Sequence, residues 1–273
     1  MVRLLFLITL SLFFSTCSFA SRTVLITSAT GALGKAISSH LASEGYDLIL
    51  AGRSTEKLEN LKDEISKTFK SCHVTTLIVD FSDIGRMRES ITKASLGPIH
   101  GIVLITPRPD LLKSVIPAAE EWTKTLQETF VAPLESLRLL TPFVQESGSI
   151  VVMAGNTSKS YLPDYPNTNV IRLAWVGEIK NLTCFFASKG IRVNTISPGP
   201  ILTDYHRNKL AKEARQNGIT FEEQLAKRTA LIPLGTYGTT ADVSNLVHFL
   251  LSEKAAHING TNMVLDGGES TGY

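Results

Sequence analysis

The chain has 273 residues, of which 43% are hydrophobic and 19% are charged. This length suits one α/β domain of roughly 250 residues, with helices on both faces of a sheet. The 27 basic and 25 acidic residues leave a net charge of +2 without a basic block, which argues against a nucleic-acid partner. Three cysteines do not make a disulfide framework, and we predict no metal site.

Residues 1–20 have the pattern of a signal peptide. Arg3 precedes an uncharged apolar run, Leu4 to Phe14, and Ser18-Phe19-Ala20 fits the small-x-small cleavage rule. The run is short for a transmembrane helix, which needs about 20 apolar residues. We therefore expect export or a lumenal location. The alternatives are an uncleaved membrane anchor, or a misassigned start codon that would make the protein cytoplasmic.

Predicted strands and helices alternate from residue 23 onwards. Apolar runs predict strands at 23–27, 47–51, 74–79, 101–105, 149–153, 191–196 and 262–265. Helices are predicted at 32–44, 54–69, 83–96, 119–145, 167–188 and 240–253. Continuous apolar runs suit strands that are buried on both faces. The alternation predicts a doubly wound, Rossmann-like α/β fold with a parallel sheet of about seven strands, which binds ligands at their carboxyl ends.

The first predicted strand leads into a turn of small residues and then a helix, in the segment TVLITSATGALG from Thr23 to Gly34. Small residues let the backbone approach a pyrophosphate closely. The free N–H groups and the positive dipole end of the new helix then bind the anion. This layout is typical of a dinucleotide-binding βαβ unit, although a glycine-bearing turn alone is weak evidence.

Over residues 22–269 the chain resembles the short-chain dehydrogenase/reductase family, including its 3-oxoacyl-acyl-carrier-protein reductases. The matching segments occur in the family's order: AGRSTEKL, VDFSD, GSIV, GIRVNTISPGPILTD and HINGTNMVLDGG. The resemblance implies a single domain over 21–273 and a homodimer or homotetramer formed through 119–145 and 167–188. The charged, helix-prone segment 203–232 is interpreted as a lid, which is either a solvated helical pair or a flap that selects substrate.

The resemblance also implies a nicotinamide cofactor. The family's phosphate loop TGxxxGxG reads TSATGALG here, so that Ser28 and Ala32 replace two glycines and Gly31 could restore flexibility. Arg53 ends the second strand and offers charge to a 2′-phosphate, which favours NADP(H) over NAD(H). The implied cofactor-binding residues are Thr27, Ser28, Thr30, Gly31, Leu33, Gly34, Arg53, Ser54, Asp80, Phe81, Arg172, Pro198, Gly199, Ile201 and Thr203.

All four catalytic residue types of the family are changed. In the family, a tyrosine gives a proton to the carbonyl oxygen, a lysine holds the nicotinamide ribose, a serine orients the carbonyl and an asparagine holds a water. Counting from the nearest motifs, these positions fall on Thr168, Arg172, Gly155 and Thr129. Threonine is a poor general acid, whereas arginine stays protonated and can still hold ribose hydroxyls.

Tyr165 is a substitute candidate for the proton donor. It lies seven residues before Arg172, a spacing at which two residues share a helix face. This Tyr-x6-Arg resembles the Tyr-x6-Lys of enoyl-acyl-carrier-protein reductases, although Pro166 places Tyr165 at or before the helix start. Further candidates are Lys159, Tyr161, Tyr205 and His206, with Arg207 as a contact for an anionic substrate.

The resemblance and the residues together predict an NADPH-dependent oxidoreductase acting on a small molecule. We expect it to reduce a carbonyl, of the 3-oxoacyl type or another ketone, with an atypical proton donor. One alternative is an enoyl-type reductase that uses Tyr165 and Arg172. The others are a catalytically silent NADP-binding sensor or partner protein, and a scaffold that has lost nucleotide binding.

Overall fold

A computed structural model describes residues 22–110, 114 and 116–272. All strands run parallel in one seven-stranded sheet of order β3-β2-β1-β4-β5-β6-β7, which confirms the predicted Rossmann-like fold. The strands are β1 Thr23–Ile26, β2 Asp47–Gly52, β3 Val74–Ile78, β4 Ile99–Ile105, β5 Val144–Met153, β6 Arg192–Pro198 and β7 Asn262–Leu265.

Helices connect the strands and cover both faces of the sheet. They are α1 Ala32–Ser43, α2 Thr55–Thr68, α3 Ile84–Lys93, α4 Ala119–Leu126, α5 Ala132–Leu140, α6 Pro166–Phe186, α7 Asp204–Asn217, α8 Phe221–Thr229 and α9 Thr240–Leu251. A π-helical turn, Gln127–Val131, joins α4 to α5. Several helices begin at a side chain that accepts an early backbone N–H, which satisfies a group the helix leaves free: Ser54, Asp83, Thr220 and Thr239.

The core forms two layers because successive side chains of a strand point to opposite faces. Val24 and Ile26 of β1 pack with α1, α2 and α9. Leu25, between them, packs with α3, α5 and α6 on the other face. The interiors of β1, β2 and β4 are therefore buried and mostly apolar, as the continuous runs predicted, whereas β6 carries buried polar residues such as Asn194 and Ser197.

The helix predicted over 119–145 ends earlier than expected. It stops at Leu140, continues as a 3₁₀ turn over Thr141–Phe143, and gives way to β5 at Val144. Pro142 explains the end because proline has no N–H to donate within a helix. The segment predicted as a lid, 203–232, contains the helical pair α7 and α8.

The proposed signal segment, 1–20, lies outside the described residues. Among the helices of the described ranges, none is long and apolar enough to cross a membrane. Cys72 and Cys184 are both free, as predicted. Cys72 is buried, and its thiol donates a hydrogen bond to the carbonyl of Tyr46 at 3.1 Å.

Gly34 is required where α1 packs against the turn after β1. A Cβ at this position would lie 2.7 Å from both the Cα and the carbonyl oxygen of Ala29, so the backbone would have to move. We expect Gly34→Ala to lower the free energy of unfolding by about 1–3 kcal/mol in a urea titration. Gly177→Ala is the matched control, because a Cβ there meets nothing within 4 Å on α6 and alanine favours helix. Equal stabilities of the two variants would contradict the packing argument.

Candidate active site

Two cavities lie at the carboxyl ends of the strands, where the order of the sheet reverses between β1 and β4. The outer cavity has a volume of about 590 Å³ and the inner cavity about 350 Å³. Arg108, in the segment after β4, lines both. The outer cavity is lined by Ser28, Gly52, Arg53, Asp80 and Phe81, among others. The inner cavity is lined by Gly155, Tyr165, Thr168, Arg172, Pro198, Gly199, His206 and Lys209, among others.

The turn after β1 is held by hydrogen bonds to β4. Ser28 has a φ of 48°, a left-handed conformation that glycine favours, and its hydroxyl donates to the carbonyl of Ile105 at 2.9 Å. Thr27 is buried, and its hydroxyl donates to the same carbonyl and accepts from the Ile105 N–H. The side chain of Thr27 therefore joins β1 to β4 instead of facing a cavity.

Gly31 does not supply the flexibility that the sequence suggested. It is the residue before α1 and has a φ of −78°, which any residue can adopt. Its N–H donates to Ser28, while the first N–H groups of α1 have no partner within the helix. Leu33 packs against the core, and Thr30 is half-buried in the turn.

Four predicted cofactor residues, Ser28, Arg53, Asp80 and Phe81, meet at the outer cavity. Arg53 is exposed, which leaves its guanidinium available to an anion. Asp80 accepts hydrogen bonds from the N–H and hydroxyl of Ser82, at 3.0 and 2.7 Å. Ser54 instead accepts the N–H of Lys57 as the first cap of α2.

The four residues predicted as catalytic, Gly155, Tyr165, Thr168 and Arg172, all line the inner cavity. Gly155 follows β5 with φ 125° and ψ 156°, a conformation essentially confined to glycine. A Cβ on Gly155 would lie 3.5 Å from the Nε atom of Arg172. Gly155 therefore lies directly beside Arg172.

Arg172 brings a positive charge into the inner cavity. Its Nη1 donates to the hydroxyl of Thr106 at 2.7 Å and to the carbonyl of Met153 at 3.3 Å. Burial, together with the nearby charge of Arg108, lowers the pKa of Arg172 to about 10. The guanidinium therefore remains protonated at neutral pH and can only donate hydrogen bonds.

Tyr165 does not share a helix face with Arg172. Helix α6 begins at Pro166, and Tyr165 precedes it with φ −130° and ψ 50°. Its hydroxyl nevertheless lies in the inner cavity, where it accepts a hydrogen bond from Nζ of Lys209 at 2.9 Å. Sequence reasoning missed Lys209, which lies 44 residues away on α7, and only the charged composition of the lid indicated it.

Thr168 and Thr129 differ in burial and in their hydrogen bonds. Thr168 is half-buried at the inner cavity, and its carbonyl accepts the Thr157 hydroxyl at 3.3 Å. Thr129 is buried in the π-helical turn, where its hydroxyl donates to Thr125 at 2.6 Å. The carbonyl of Thr129 accepts Nε1–H of Trp175 at 3.0 Å. The Thr129 side chain is thus committed to the helix.

The segment after β6 divides between the cavity and the core. Pro198 and Gly199 line the inner cavity, and the Gly199 N–H donates to Leu265 at 2.9 Å. Ile201 is buried in the core. Thr203 is the residue immediately before α7, and its hydroxyl is hydrogen-bonded to Nδ1 of His206 at 3.1 Å.

The remaining candidates are dispersed. The Tyr205 ring stacks against the Arg108 guanidinium, 4.0 Å from its carbon to the ring centroid. The other phenol, Tyr161, is 73% exposed, which leaves its ring largely in solvent. Lys159 and Arg207 lie outside both cavities. Burial raises the pKa of Glu269, whose carboxylate accepts a hydrogen bond from the side-chain amide of Asn156 at 3.0 Å.

His206 makes the site sensitive to acid. Burial first, then the charges of Arg108 and Lys209, lowers its pKa from 6.5 to about 4. Between these values the unfolded chain binds a proton that the folded chain does not, so stability falls as the pH drops through this window. We expect His206→Asn to flatten this part of the pH dependence, measured by urea unfolding at pH 7.5 and pH 4.5. An unchanged difference between the two pH values would contradict the assignment.

Comparisons with known proteins match nearly the whole chain. Residues 29–270 match the family model described as enoyl-(acyl carrier protein) reductase. NADPH-dependent reductase BacG of Bacillus subtilis is 25% identical, over 91% of this chain and 98% of its own. The 3-oxoacyl-[acyl-carrier-protein] reductase FabG of Staphylococcus aureus is 28% identical over the same shares.

The fold has a solved counterpart in an NADPH-bound short-chain oxidoreductase of Pseudomonas aeruginosa that contains an atypical catalytic centre. It has a TM-score of 0.80 and 21% identity, over 92% of this chain and 98% of that chain. At that identity the likeness concerns the fold alone. Because the family model covers most of the sequence, the chain belongs to the short-chain dehydrogenase/reductase family.

Proposed function

We propose that this protein is an NADPH-dependent reductase of a carbonyl group, with Tyr165 as the proton donor. The observation that carries the proposal is the hydrogen bond from Lys209 to the Tyr165 hydroxyl, inside the cavity that Arg172 also lines. The pair brings together a phenol and an ammonium, the groups that the family places on one helix. The relatives named NADPH-dependent reductase and 3-oxoacyl reductase support the cofactor and the type of reaction.

The residues at the outer cavity fit NADPH. The turn after β1 closes tightly on α1, whose first N–H groups have no partner within the helix and can bind a pyrophosphate. Arg53 is exposed at the end of β2 and offers a guanidinium to the 2′-phosphate. NADPH, when bound, supplies the hydride. Pro198 and Gly199 form part of the wall of the inner cavity, and Arg108 lines both cavities.

Within the inner cavity each side chain has a role set by its chemistry. The Lys209 ammonium donates to the Tyr165 oxygen, so it stabilises the negative charge left there when the proton goes to the carbonyl oxygen. Arg172 cannot give up its proton and holds hydroxyl groups with its remaining N–H donors. Thr168 lies at the same cavity and can orient the carbonyl through its hydroxyl.

Arg53 is the residue to test for cofactor choice. We expect Arg53→Ala to raise the Kd for NADPH by roughly 10-fold or more, because a charge-assisted hydrogen bond to phosphate is lost. The Kd for NADH, which has no 2′-phosphate, should change little. Cofactor fluorescence titration measures both, with Arg215→Ala on the exposed side of α7 as the control. Equal effects on the two cofactors would argue against a 2′-phosphate site.

Tyr165 is the residue to test for proton donation. We expect Tyr165→Phe to lower kcat by roughly 10²- to 10⁴-fold, the usual contribution of a positioned general acid, while the Kd for NADPH stays the same. Lys209→Met should lower kcat and change its pH profile, since it removes only the charge beside the phenol. The control is Tyr161→Phe, at an exposed tyrosine of the same loop region. Full activity of Tyr165→Phe would exclude this donor.

An enoyl-type reductase is the second candidate function. The description of the matching family model favours it, as does the presence of Tyr165 and Arg172 at one cavity. Product analysis with an α,β-unsaturated ketone separates the two, because loss of the C=C bond marks the enoyl type and formation of an alcohol marks the carbonyl type. Tight NADPH binding without turnover on either group would instead favour a silent NADP-binding protein.

We also propose that the protein forms a homodimer or homotetramer through α4–α6. Large apolar side chains on these helices and their π-helical turn are exposed: Leu126, Val131, Val170, Leu173 and Phe185. Exposed apolar side chains on elements that contact one another favour a protein partner. A monomeric mass by light scattering would contradict the proposal.

A further inference from the structure

Arg108 lies after β4 at the junction of the two cavities and is exposed. It forms no ion pair with any residue in the described part of the chain. Its guanidinium stacks on the Tyr205 ring of α7, with its carbon 4.0 Å from the ring centroid. Stacking leaves the edge of the guanidinium, with its N–H donors, available to a ligand.

The charges around Arg108 are also positive. Arg172 lies close enough for the charge of Arg108 to lower its pKa, and Arg172 donates only to the neutral oxygens of Thr106 and Met153. The same charge contributes to the lowered pKa of His206. Arg108 and Arg172 therefore lie close together at the inner cavity, and neither forms an ion pair with a carboxylate of the described residues.

Two of the three acidic residues that line the inner cavity, Glu213 and Glu269, contact other residues. Glu213 on α7 forms an ion pair with Arg228 at 3.2 Å and lies 3.9 Å from Lys209. Glu269 accepts a hydrogen bond from Asn156 on the other wall, and Asp164 is exposed. None of these carboxylates neutralises Arg108 or Arg172 in the described structure.

We infer that the substrate is an oxo acid, whose free carboxylate binds Arg108 while its carbonyl lies between Tyr165 and Thr168. This inference rests on the proposed reductase function and names its substrate class. A planar guanidinium fork matches the two oxygens of a carboxylate, and the anion relieves the repulsion between the two arginines. The stack on Tyr205 links this recognition to the lid, since α7 also carries Lys209.

The inference predicts a charge-dependent preference among substrates. We would assay 2-, 3- and 4-oxo acids and their methyl esters with NADPH. The wild type should prefer at least one acid over its ester, and Arg108→Gln should lower kcat/KM for that acid by roughly 10- to 100-fold, as expected for a lost hydrogen bond to a charged group. The ester should be affected little. Arg215→Gln, an exposed arginine of α7 outside both cavities, is the control.

Two results would overturn the inference. Equal losses for acid and ester would show that Arg108 does not read the carboxylate. A raised Kd for NADPH in Arg108→Gln, with no change in the preference for acids, would assign the arginine to the cofactor's phosphates.

A binding measurement separates this inference from the proposed activity. Malonate, added with NADP⁺, should raise the thermal midpoint of the wild type and of Arg215→Gln, and should not raise that of Arg108→Gln. If no carbonyl compound is reduced but malonate protects in this pattern, the reductase proposal fails and the carboxylate site stands. Absence of protection in the wild type would count against the carboxylate site itself.

Discussion

The placement of the Arg172 charge is the constraint on which the candidate site depends. The guanidinium donates to Thr106 after β4 and to Met153 at the end of β5, so it links two neighbouring strands at their carboxyl ends. A buried cation needs such hydrogen bonds because burial costs free energy. Gly155 lies beside it in a conformation that only glycine adopts readily. The positions of Gly155 and Arg172 are therefore physically connected.

The proposed proton donor, Tyr165, depends on a contact with a side chain of α7. In the family pattern, tyrosine and lysine stand one turn apart on one helix, so the helix alone aligns them. Here Tyr165 precedes α6 and Lys209 belongs to α7, so their contact depends on how α7 packs beside the start of α6. Ion pairing between Glu213 of α7 and Arg228 of α8 holds the two lid helices together. Substrate binding and proton donation would thus be coupled to the position of one segment.

The turn after β1, on the proposed cofactor side of the site, is also held by hydrogen bonds to a neighbouring strand. Ser28 takes a left-handed backbone conformation where the family has glycine, and its hydroxyl bonds to Ile105 of β4. Strain of this type costs on the order of 1–3 kcal/mol, which the surrounding hydrogen bonds must offset. Gly34 keeps the close approach of α1 to the turn. The groove can therefore keep its shape without the usual first glycine.

The sequence by itself determined the parallel sheet and the turn after β1. It also determined that Ser28, Arg53 and Asp80 lie at one cavity, because the carboxyl ends of parallel strands meet at one edge of the sheet. The sequence likewise predicted that Gly155, Thr168 and Arg172 lie at one site, because motif spacing places them after β5 and along α6. Only the tertiary structure decided that Lys209 reaches Tyr165 and that Arg108 stacks on Tyr205. Periodicity reports which face of an element is buried, whereas these contacts join α7 to segments that are distant in the sequence.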